Sequence, residues 1–295
     1  MQYKQLSNGL KIPIIGLGTW GIGGKFIPNN LREKEEIKII QEAIMLGFTH
    51  IDTAEFYGQG QTEKEVGKAI RKFDREKLFI TTKVWKTNLH YSNVIASLEK
   101  SLKRLQTDYV DLYLVHWPNP SISLKETMKA MEHLAEQGKI RAIGVSNFSI
   151  NDIKKAQKYL RKHKIVANQI EYNLIRREAE RELIPFCLKN NIMIIAYRPL
   201  ARGELARKGI KILDQIAKKY GKTNAQIALK WVLSHRNVIA ITKSTKIEHL
   251  KENLNVFGWE LKLQDKELLD KICYSHRKLK ASVLRYLSNI FLLSK

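Results

Sequence analysis

The sequence predicts an α/β fold in which eight parallel β-strands close into a (β/α)8 barrel, the TIM-barrel type, with helices around it. Two observations carry this prediction. Eight short apolar runs alternate with longer segments of helical periodicity between residues 14 and 255. No linker rich in Pro, Gly or Ser divides the chain. Eight strand–helix pairs favour a closed barrel, and an open doubly wound sheet is the alternative topology.

The predicted strands are apolar runs that end in polar or small residues. They cover residues 14–18, 48–52, 78–84, 110–116, 140–146, 165–170, 192–197 and 238–242. Ahead of them, residues 1–13 contain Asn8-Gly9 between two short apolar pieces, the signature of a β-hairpin. We expect this hairpin to cover the bottom of the barrel.

The segments between the strands carry helix start and stop signals. The pairs Thr62–Glu65 and Ser123–Glu126 have the spacing of capping boxes, and Gly47 and Gly138 stand where helices should end. Apolar residues recur at the spacing of one buried stripe in two of these segments, at Ile37, Ile40 and Ile44 and at Val94, Leu98, Leu102 and Leu105.

Composition is that of an ordinary globular protein. The 295 residues are 44% hydrophobic and 27% charged, which argues against disorder and low-complexity repeats. We expect one barrel domain over residues 1–272 and a basic amphipathic tail over 273–295. In that tail, residues 279–293 have helical spacing and predict a C-terminal helical extension.

Cysteine usage and the N-terminus bear on the compartment. The two cysteines, Cys187 and Cys273, have no spacing that would hold a metal, so no metal is expected. The N-terminus lacks the apolar core of a signal peptide, and no run of about 18 apolar residues occurs. We therefore expect a cytoplasmic protein without a transmembrane segment.

The chain carries a formal net charge of +23. Most basic residues alternate with acidic residues on helical faces, a pattern typical of a solvated surface, so no specific nucleic-acid partner is expected. The positive field would still attract an anionic cofactor or substrate.

In a parallel barrel the active site lies at the C-terminal ends of the strands, so the polar residues that follow each apolar run are the functional candidates. Nearly every predicted strand ends in one. In chain order they are Thr19 and Trp20, Asp52, Lys83, His116, Ser146 and Asn147, Gln169, Tyr197, and Lys243 and Ser244. An acid, a base, a phenol at Tyr57 and an imidazole thus converge on one rim.

These strand ends also resemble a known family. HIDTAEFYG, TTKVW, DLYLVHWP, GVSNF and ITKS are similar to the corresponding segments of the aldo-keto reductase superfamily, over residues 3 to about 272. The resemblance implies a (β/α)8 barrel that reduces aldehydes and ketones with NADPH, or with NADH, without a metal. It places a catalytic tetrad on Asp52, Tyr57, Lys83 and His116.

Carbonyl reduction needs a hydride at carbon and a proton at oxygen. Tyr57 can donate that proton, because a phenol is protonated at neutral pH. Lys83 would stabilise the resulting phenolate, Asp52 would keep Lys83 charged, and His116 would orient the carbonyl. Three tryptophans, Trp20, Trp85 and Trp117, would wall the substrate site together with Tyr57 and His116.

The segment GLGTWG matches a G-x-G-x-x-G pattern at Gly16, Gly18 and Gly21. A dinucleotide-binding Rossmann motif requires a helix directly after it, and the following GIGGKFIPNN does not predict one. We therefore place the cofactor elsewhere on the rim.

A barrel's phosphate site commonly uses the last two loops and a helix start, which here means Lys243-Ser244-Thr245. The family resemblance implies that Ser146, Asn147 and Gln169 hold the nicotinamide amide and that Tyr197 stacks on its ring. The full expected cofactor set is Thr19, Trp20, Asp52, Ser146, Asn147, Gln169, Tyr197, Arg198, Leu200, Lys243, Ser244, His249, Glu252 and Asn253.

Two of these residues depart from the family pattern. His249 replaces an arginine that grips the 2′-phosphate, and Arg198 replaces a small residue and, with Arg202, could meet a pyrophosphate or an anionic substrate. We expect a small-molecule carbonyl substrate and a monomer or small homo-oligomer. The alternative functions are a Schiff-base aldolase that uses Lys83 and a regulatory subunit that keeps the nucleotide site.

Overall fold

The computed structural model describes residues 1–272 and contains a closed barrel of eight parallel strands. The barrel strands are β3 (Ile15–Gly18), β4 (His50–Asp52), β5 (Phe79–Val84), β6 (Leu112–Val115), β7 (Ile143–Ser146), β8 (Ile165–Glu171), β9 (Met193–Tyr197) and β10 (Val238–Thr242). Each strand pairs with the next along the chain, and β10 pairs with β3 to close the circle. All eight predicted strands are confirmed within a few residues.

The N-terminal hairpin is also confirmed. Strands β1 (Tyr3–Gln5) and β2 (Lys11–Pro13) pair antiparallel around a turn with Gly9 at φ 88°. Leu6 and Ile12 are buried in the same cluster as residues of the barrel interior, including Leu112 and Ile239. The hairpin therefore closes the barrel's lower end.

Within residues 1–272, ten helices surround or follow the strands. They are α1 (Glu33–Leu46), α2 (Gln61–Ile70), α3 (Tyr91–Leu105), α4 (Leu124–Glu136), α5 (Ile150–Gln157), α6 (Leu183–Lys189), α7 (Lys211–Tyr220), α8 (Asn224–Leu233), α9 (Ile247–Leu254) and α10 (Leu263–Asp270). Short 3-10 helices add Tyr57–Gly60, Arg75–Lys77, Glu178–Glu180 and Ala201–Ala206. Both α7 and α8 lie between β9 and β10, where a simple strand–helix alternation predicts one helix.

The predicted helix stops are correct, but the predicted capping boxes are wrong. Gly47 ends α1 in the left-handed conformation. Thr62 lies inside α2, whose N-cap is Gly60, and its hydroxyl donates to the carbonyl of Ile22 at 2.5 Å.

Ser123 does precede α4, but its side chain makes no capping hydrogen bond, and Glu126 instead lies 3.2 Å from His90. The capping boxes of the described chain are Ser149–Asp152 and Thr223–Gln226. The spacing of a capping box cannot reveal that the carbonyl of a residue 40 positions away, Ile22, accepts the hydrogen bond of the Thr62 hydroxyl.

The glycines of GLGTWG make room inside the barrel. A Cβ atom on Gly16 would lie 2.7 Å from Nδ1 of His50, and one on Gly18 would lie 2.7 Å from the side chain of Ile241. The next helix begins only at Glu33. The segment is therefore a barrel strand and not a phosphate-binding turn.

The predicted tail helix over 279–293 lies outside the described residues, and the boundary at residue 272 stays a prediction. Within residues 1–272, no helix has the length and apolarity needed to cross a membrane.

Candidate active site

Three of the four predicted catalytic side chains form one buried hydrogen-bonded group at the C-terminal end of the barrel. Lys83 on β5 is fully buried, and its Nζ donates to Asp52 Oδ2 at 2.7 Å, to the Thr53 carbonyl at 2.8 Å and to Tyr57 Oη at 3.3 Å. Asp52 ends β4, and Tyr57 begins the short helix that follows. Adjacent parallel strands thus bring an acid, a cation and a phenol together.

Asp52 is held from two further strands. The Nε2 atom of Gln169 on β8 donates to Asp52 Oδ1 at 2.8 Å across the barrel. Thr19, directly after β3, donates its hydroxyl to the Asp52 carbonyl at 2.9 Å. Both were expected at the cofactor. In this structure Gln169 holds the carboxylate that orients Lys83, and Thr19 holds the backbone of the same residue.

The electrostatics of the group follow from its burial. Burial lowers the pKa of Lys83, but the charges of Asp52 and Tyr57 and their hydrogen bonds raise it by more, so the ammonium form is favoured. Burial raises the pKa of Tyr57 above its ordinary value, and Lys83 opposes this only in part. Tyr57 therefore carries its proton at neutral pH beside a permanent cation.

His116 follows β6 and faces the same group. Its ring centroid lies 5.6 Å from that of Tyr57, and its Nδ1 is buried without a hydrogen-bond partner among the described residues. Burial, together with the charge of Lys83, holds the pKa of His116 well below its ordinary value. The imidazole is therefore neutral and keeps one N–H that can donate.

The predicted tryptophan wall is only part of a larger aromatic surface. Trp20 lies edge-on to Tyr57 with centroids 4.9 Å apart. Trp85 stacks on Phe56 at 3.7 Å and lies 5.1 Å from His116. Trp117, at 41% exposure, stands at the rim.

The sequence reasoning missed two aromatic residues, Phe56 and Phe26. Phe26 packs edge-on against Trp20 at 5.3 Å. Phe56 could have been found from its position directly before Tyr57 in the turn after β4. Phe26 gave no comparable signal, because it lies in a loop without periodicity.

Glu55 was also missed. Its Oε1 accepts hydrogen bonds from the Trp85 amide at 2.6 Å and from Asn88 Nδ2 at 3.1 Å. The carboxylate thereby ties the end of β4 to the end of β5, and holds Trp85 where it stacks on Phe56.

On the opposite side of the rim, polar side chains from β7 and β9 are linked. Tyr197 Oη donates to Asn147 Oδ1 at 3.0 Å, and Asn147 Nδ2 donates to Ser146 Oγ at 2.9 Å. Asn147 has a φ of 60°, a left-handed conformation that turns its amide toward this chain of hydrogen bonds. Amide and hydroxyl groups beside a partly buried aromatic ring form a donor set suited to a planar carboxamide.

Cations gather near the end of β10. Burial lowers the pKa of Lys243, and the charges of Lys25 and Arg32 lower it further, against one opposing carboxylate, Glu36. Among residues 1–272, Lys243 has no ion-pair partner. Like charges held together in this way fit a polyanion such as a nucleotide phosphate.

The other expected cofactor residues lie around this cluster. Ser244 accepts the Lys246 amide at the start of α9, and Asn253 is buried on the same helix. His249 and Glu252 are also on α9, His249 at an exposed position. Leu200 precedes the Ala201–Ala206 turn.

Arg198 adds a cation directly after β9. It has a φ of 52°, forms a 3.1 Å ion pair with Glu171 and lies 5.6 Å from the centroid of the Tyr197 ring. A dinucleotide reaching from Tyr57 to Lys243 would cross this strand end, because β9 and β10 are adjacent. The residues present therefore fit a dinucleotide phosphate.

Comparison with known proteins agrees with this geometry. The family model described as "Aldo/keto reductase family" matches residues 14–273. A methylglyoxal reductase of Escherichia coli, YeaE, is 38% identical over 276 residues, which covers 92% of this chain and 95% of that protein.

Solved structures are similar over the same length. A thermostable aldo-keto reductase in complex with the inhibitor epalrestat superimposes with a TM-score of 0.89 at 48% identity, covering 92% of this chain and all of that one. An aldo/keto reductase of Klebsiella pneumoniae in complex with NADP and acetate has a TM-score of 0.82 at 36% identity, with 90% and 93% coverage. With the barrel, the buried Asp–Lys–Tyr group and these matches together, the chain belongs to the aldo/keto reductase family of oxidoreductases.

Proposed function

We propose that this protein reduces aldehydes and ketones to alcohols with NADPH, and that Tyr57 is the general acid. The observation that carries the proposal is the contact between Tyr57 Oη and Lys83 Nζ at 3.3 Å, within a group that Asp52 completes at 2.7 Å. Bound NADPH supplies the hydride. The chain's own residues then have to orient the carbonyl, donate a proton and hold the charge that remains.

One residue is available for each of these three tasks. The N–H of neutral His116 orients the carbonyl oxygen toward Tyr57. Tyr57 transfers its proton as that oxygen gains electrons, and the phenolate left behind lies beside the Lys83 ammonium. Solvent returns a proton to Tyr57 after the alcohol leaves, so one carbonyl, one NADPH and one proton give one alcohol and NADP⁺.

The cofactor is proposed to lie across the β7–β10 side of the rim. Tyr197 offers its ring to the nicotinamide, and Ser146 and Asn147 offer hydrogen bonds to the carboxamide. Lys243 and Arg198 offer positive charge to the phosphates. NADH is the alternative cofactor, because His249 stands where a stronger cation would reinforce a 2′-phosphate site.

The aromatic surface favours small, activated carbonyl compounds. Trp20, Phe56 and Trp85 line the side of the site that faces Tyr57 and His116. The similarity to a methylglyoxal reductase puts 2-oxoaldehydes first among the substrates to test.

The test is an assay of NADPH oxidation against a panel of 2-oxoaldehydes, aromatic aldehydes, sugars and 2-oxo acids, repeated with NADH. We expect a carbonyl-dependent loss of the near-ultraviolet absorbance of NADPH. Absence of turnover with every carbonyl class, by protein that binds NADPH, would instead support a regulatory subunit.

A Schiff-base aldolase is disfavoured by the state of Lys83. Imine formation needs a neutral amine, whereas the pKa of Lys83 is raised and its Nζ already donates to three oxygens. Borohydride trapping of Lys83 with a carbonyl compound would reverse this conclusion.

Cofactor preference should depend on the side chain at position 249, an exposed residue of α9. An arginine at this position carries a planar guanidinium that binds phosphate oxygens with two hydrogen bonds, which the imidazole of His249 does not offer. We expect the ratio of kcat/KM for NADPH to that for NADH to be higher in the His249→Arg variant than in wild type. A His249→Arg variant with the same ratio as wild type would exclude position 249 from the cofactor site.

A further inference from the structure

Two buried carboxyl groups meet beneath the loop that joins β3 to α1, residues 19–32. Glu36 lies on α1 and Glu65 on α2, with 7% and 0% exposure. The amide of Gly23 donates to Glu36 Oε2 at 2.8 Å. A Cβ atom on Gly23 would lie 2.9 Å from Glu65 Oε1, so both carboxyl groups approach the same glycine.

No cation compensates this pair directly. Within the described part of the chain neither Glu36 nor Glu65 forms an ion pair, and no donor group reaches the buried Glu65 Oε2. Glu65 Oε1 accepts a hydrogen bond from Gln61 at 3.1 Å.

The charged neighbours of the pair are few. Glu33 on α1 is neutralised by Lys68 on α2, and Lys243 after β10 interacts with Glu36. Glu33 adds a further negative charge near Glu65. Adjacent carboxyl groups in such a site do not both ionise readily, because the charge of one opposes ionisation of the other. Burial raises the pKa of Glu65 to about 7, and the charge of Glu36 and a hydrogen bond to Glu36 act in the same direction.

The loop above the pair is joined to the active site. Its Lys25 carbonyl accepts the amide of Gly58, the residue after Tyr57, and its Phe26 carbonyl accepts Gln59 Nε2. The same loop carries Trp20, which contacts the Tyr57 ring. The position of Gly23 therefore influences both the aromatic wall and the turn that holds Tyr57.

We propose that Glu36 and Glu65 are positioning residues, which hold the 19–32 loop against the active site through a proton that they share. Loss of the proton places two negative charges beside Gly23 and loosens the loop. Substrate binding by the proposed reductase then weakens, whereas the catalytic side chains that carry out the chemical step are unchanged.

The direction of the pH dependence follows from the raised pKa of Glu65. A carboxyl group that binds its proton more tightly in the folded state stabilises that state at low pH, and this contribution is lost as the pH rises through about 7. Tyr57 does not interfere, because its pKa is raised and it stays protonated in this range.

The kinetic test measures KM for an aldehyde at saturating NADPH from about pH 6 to about pH 8.5. We expect the wild-type KM to increase at least about threefold over this range, with little change in kcat. The Glu65→Gln variant keeps a neutral side chain and should show a low, constant KM. Glu42→Gln, on the same helix as Glu36 but outside the pair, is the matched control and should behave as wild type.

A second measurement does not depend on the proposed reaction. Hydrogen–deuterium exchange of residues 21–32, compared between wild type and Glu65→Gln at the same pH, should be faster in wild type at about pH 8 and equal at about pH 6. If Glu65→Gln fails to fold, Glu36→Gln takes its place with the same expectation. If the loop exchanges at the same rate in wild type and in the variant at both pH values, the proposal is overturned. If the exchange differs as expected but no carbonyl compound is turned over, only the reductase assignment is overturned.

Discussion

The Tyr57→Phe variant is expected to lose at least about 100-fold in kcat, the lower end of what a positioned general acid contributes. The ring remains, so its 4.9 Å contact with Trp20 and its packing near His116 are kept. Only the hydroxyl that meets Lys83 Nζ at 3.3 Å is removed. The loss should therefore appear in the chemical step and leave the dissociation constant of NADPH nearly unchanged.

Pre-steady-state measurement of NADPH oxidation separates chemistry from product release, and fluorescence titration gives the cofactor affinity. Tyr197→Phe is the matched control, since it also removes one phenol hydroxyl on the rim but one that donates to Asn147. A Tyr57→Phe enzyme whose chemical step runs at the wild-type rate would disprove the role of Tyr57 as general acid.

The second large effect is expected from Lys83→Met, in both activity and stability. Asp52 is 3% exposed, and loss of its cation leaves a buried carboxylate with Gln169 as its remaining side-chain donor. Breaking a buried ion pair by removing one partner costs about 3–5 kcal/mol in the free energy of unfolding. Activity should fall at least about 100-fold, because the buried cation in contact with Tyr57 no longer stabilises its phenolate.

The double variant Asp52→Asn with Lys83→Met separates the two effects. It removes both charges, so the free energy of unfolding measured in urea should recover most of the loss seen in Lys83→Met alone. Its activity should remain as low as that of the single variant. Equal stability of wild type and Lys83→Met would show that the pair is not coupled, and recovery of activity in the double variant would show that Lys83 does not act on Tyr57.

The eight strands, and the rim positions of Asp52, Lys83 and His116, could be predicted because both depend on local order along the chain. A short apolar run indicates a buried strand whichever strands pair with it. In a parallel barrel the C-terminal end of every strand reaches the same rim. Asp52, Lys83 and His116 were therefore found as the polar residues that end three runs. The same reasoning could not detect Phe26, which lies in an aperiodic loop.

The hydrogen-bond partners of buried polar groups could be identified only from the tertiary structure. Thr62 and Glu65 have the spacing of a capping box, yet Thr62 binds the Ile22 carbonyl and Glu65 meets Glu36 beneath Gly23. Likewise Gln169, 117 residues from Asp52 in sequence, donates to its carboxylate.

The pattern of apolar runs and their polar ends was therefore enough to predict the barrel, the order of its strands and the rim on which the reactive groups stand. The contacts between those groups depend on the folded arrangement of the chain. So does the net direction of the Tyr57 pKa, because burial raises it by more than Lys83 lowers it. The two kinds of information differ in the distances over which they act. Periodicity selects which face of a strand or helix is buried, whereas hydrogen bonding and desolvation depend on distances of about 3 Å between residues that the chain order leaves far apart.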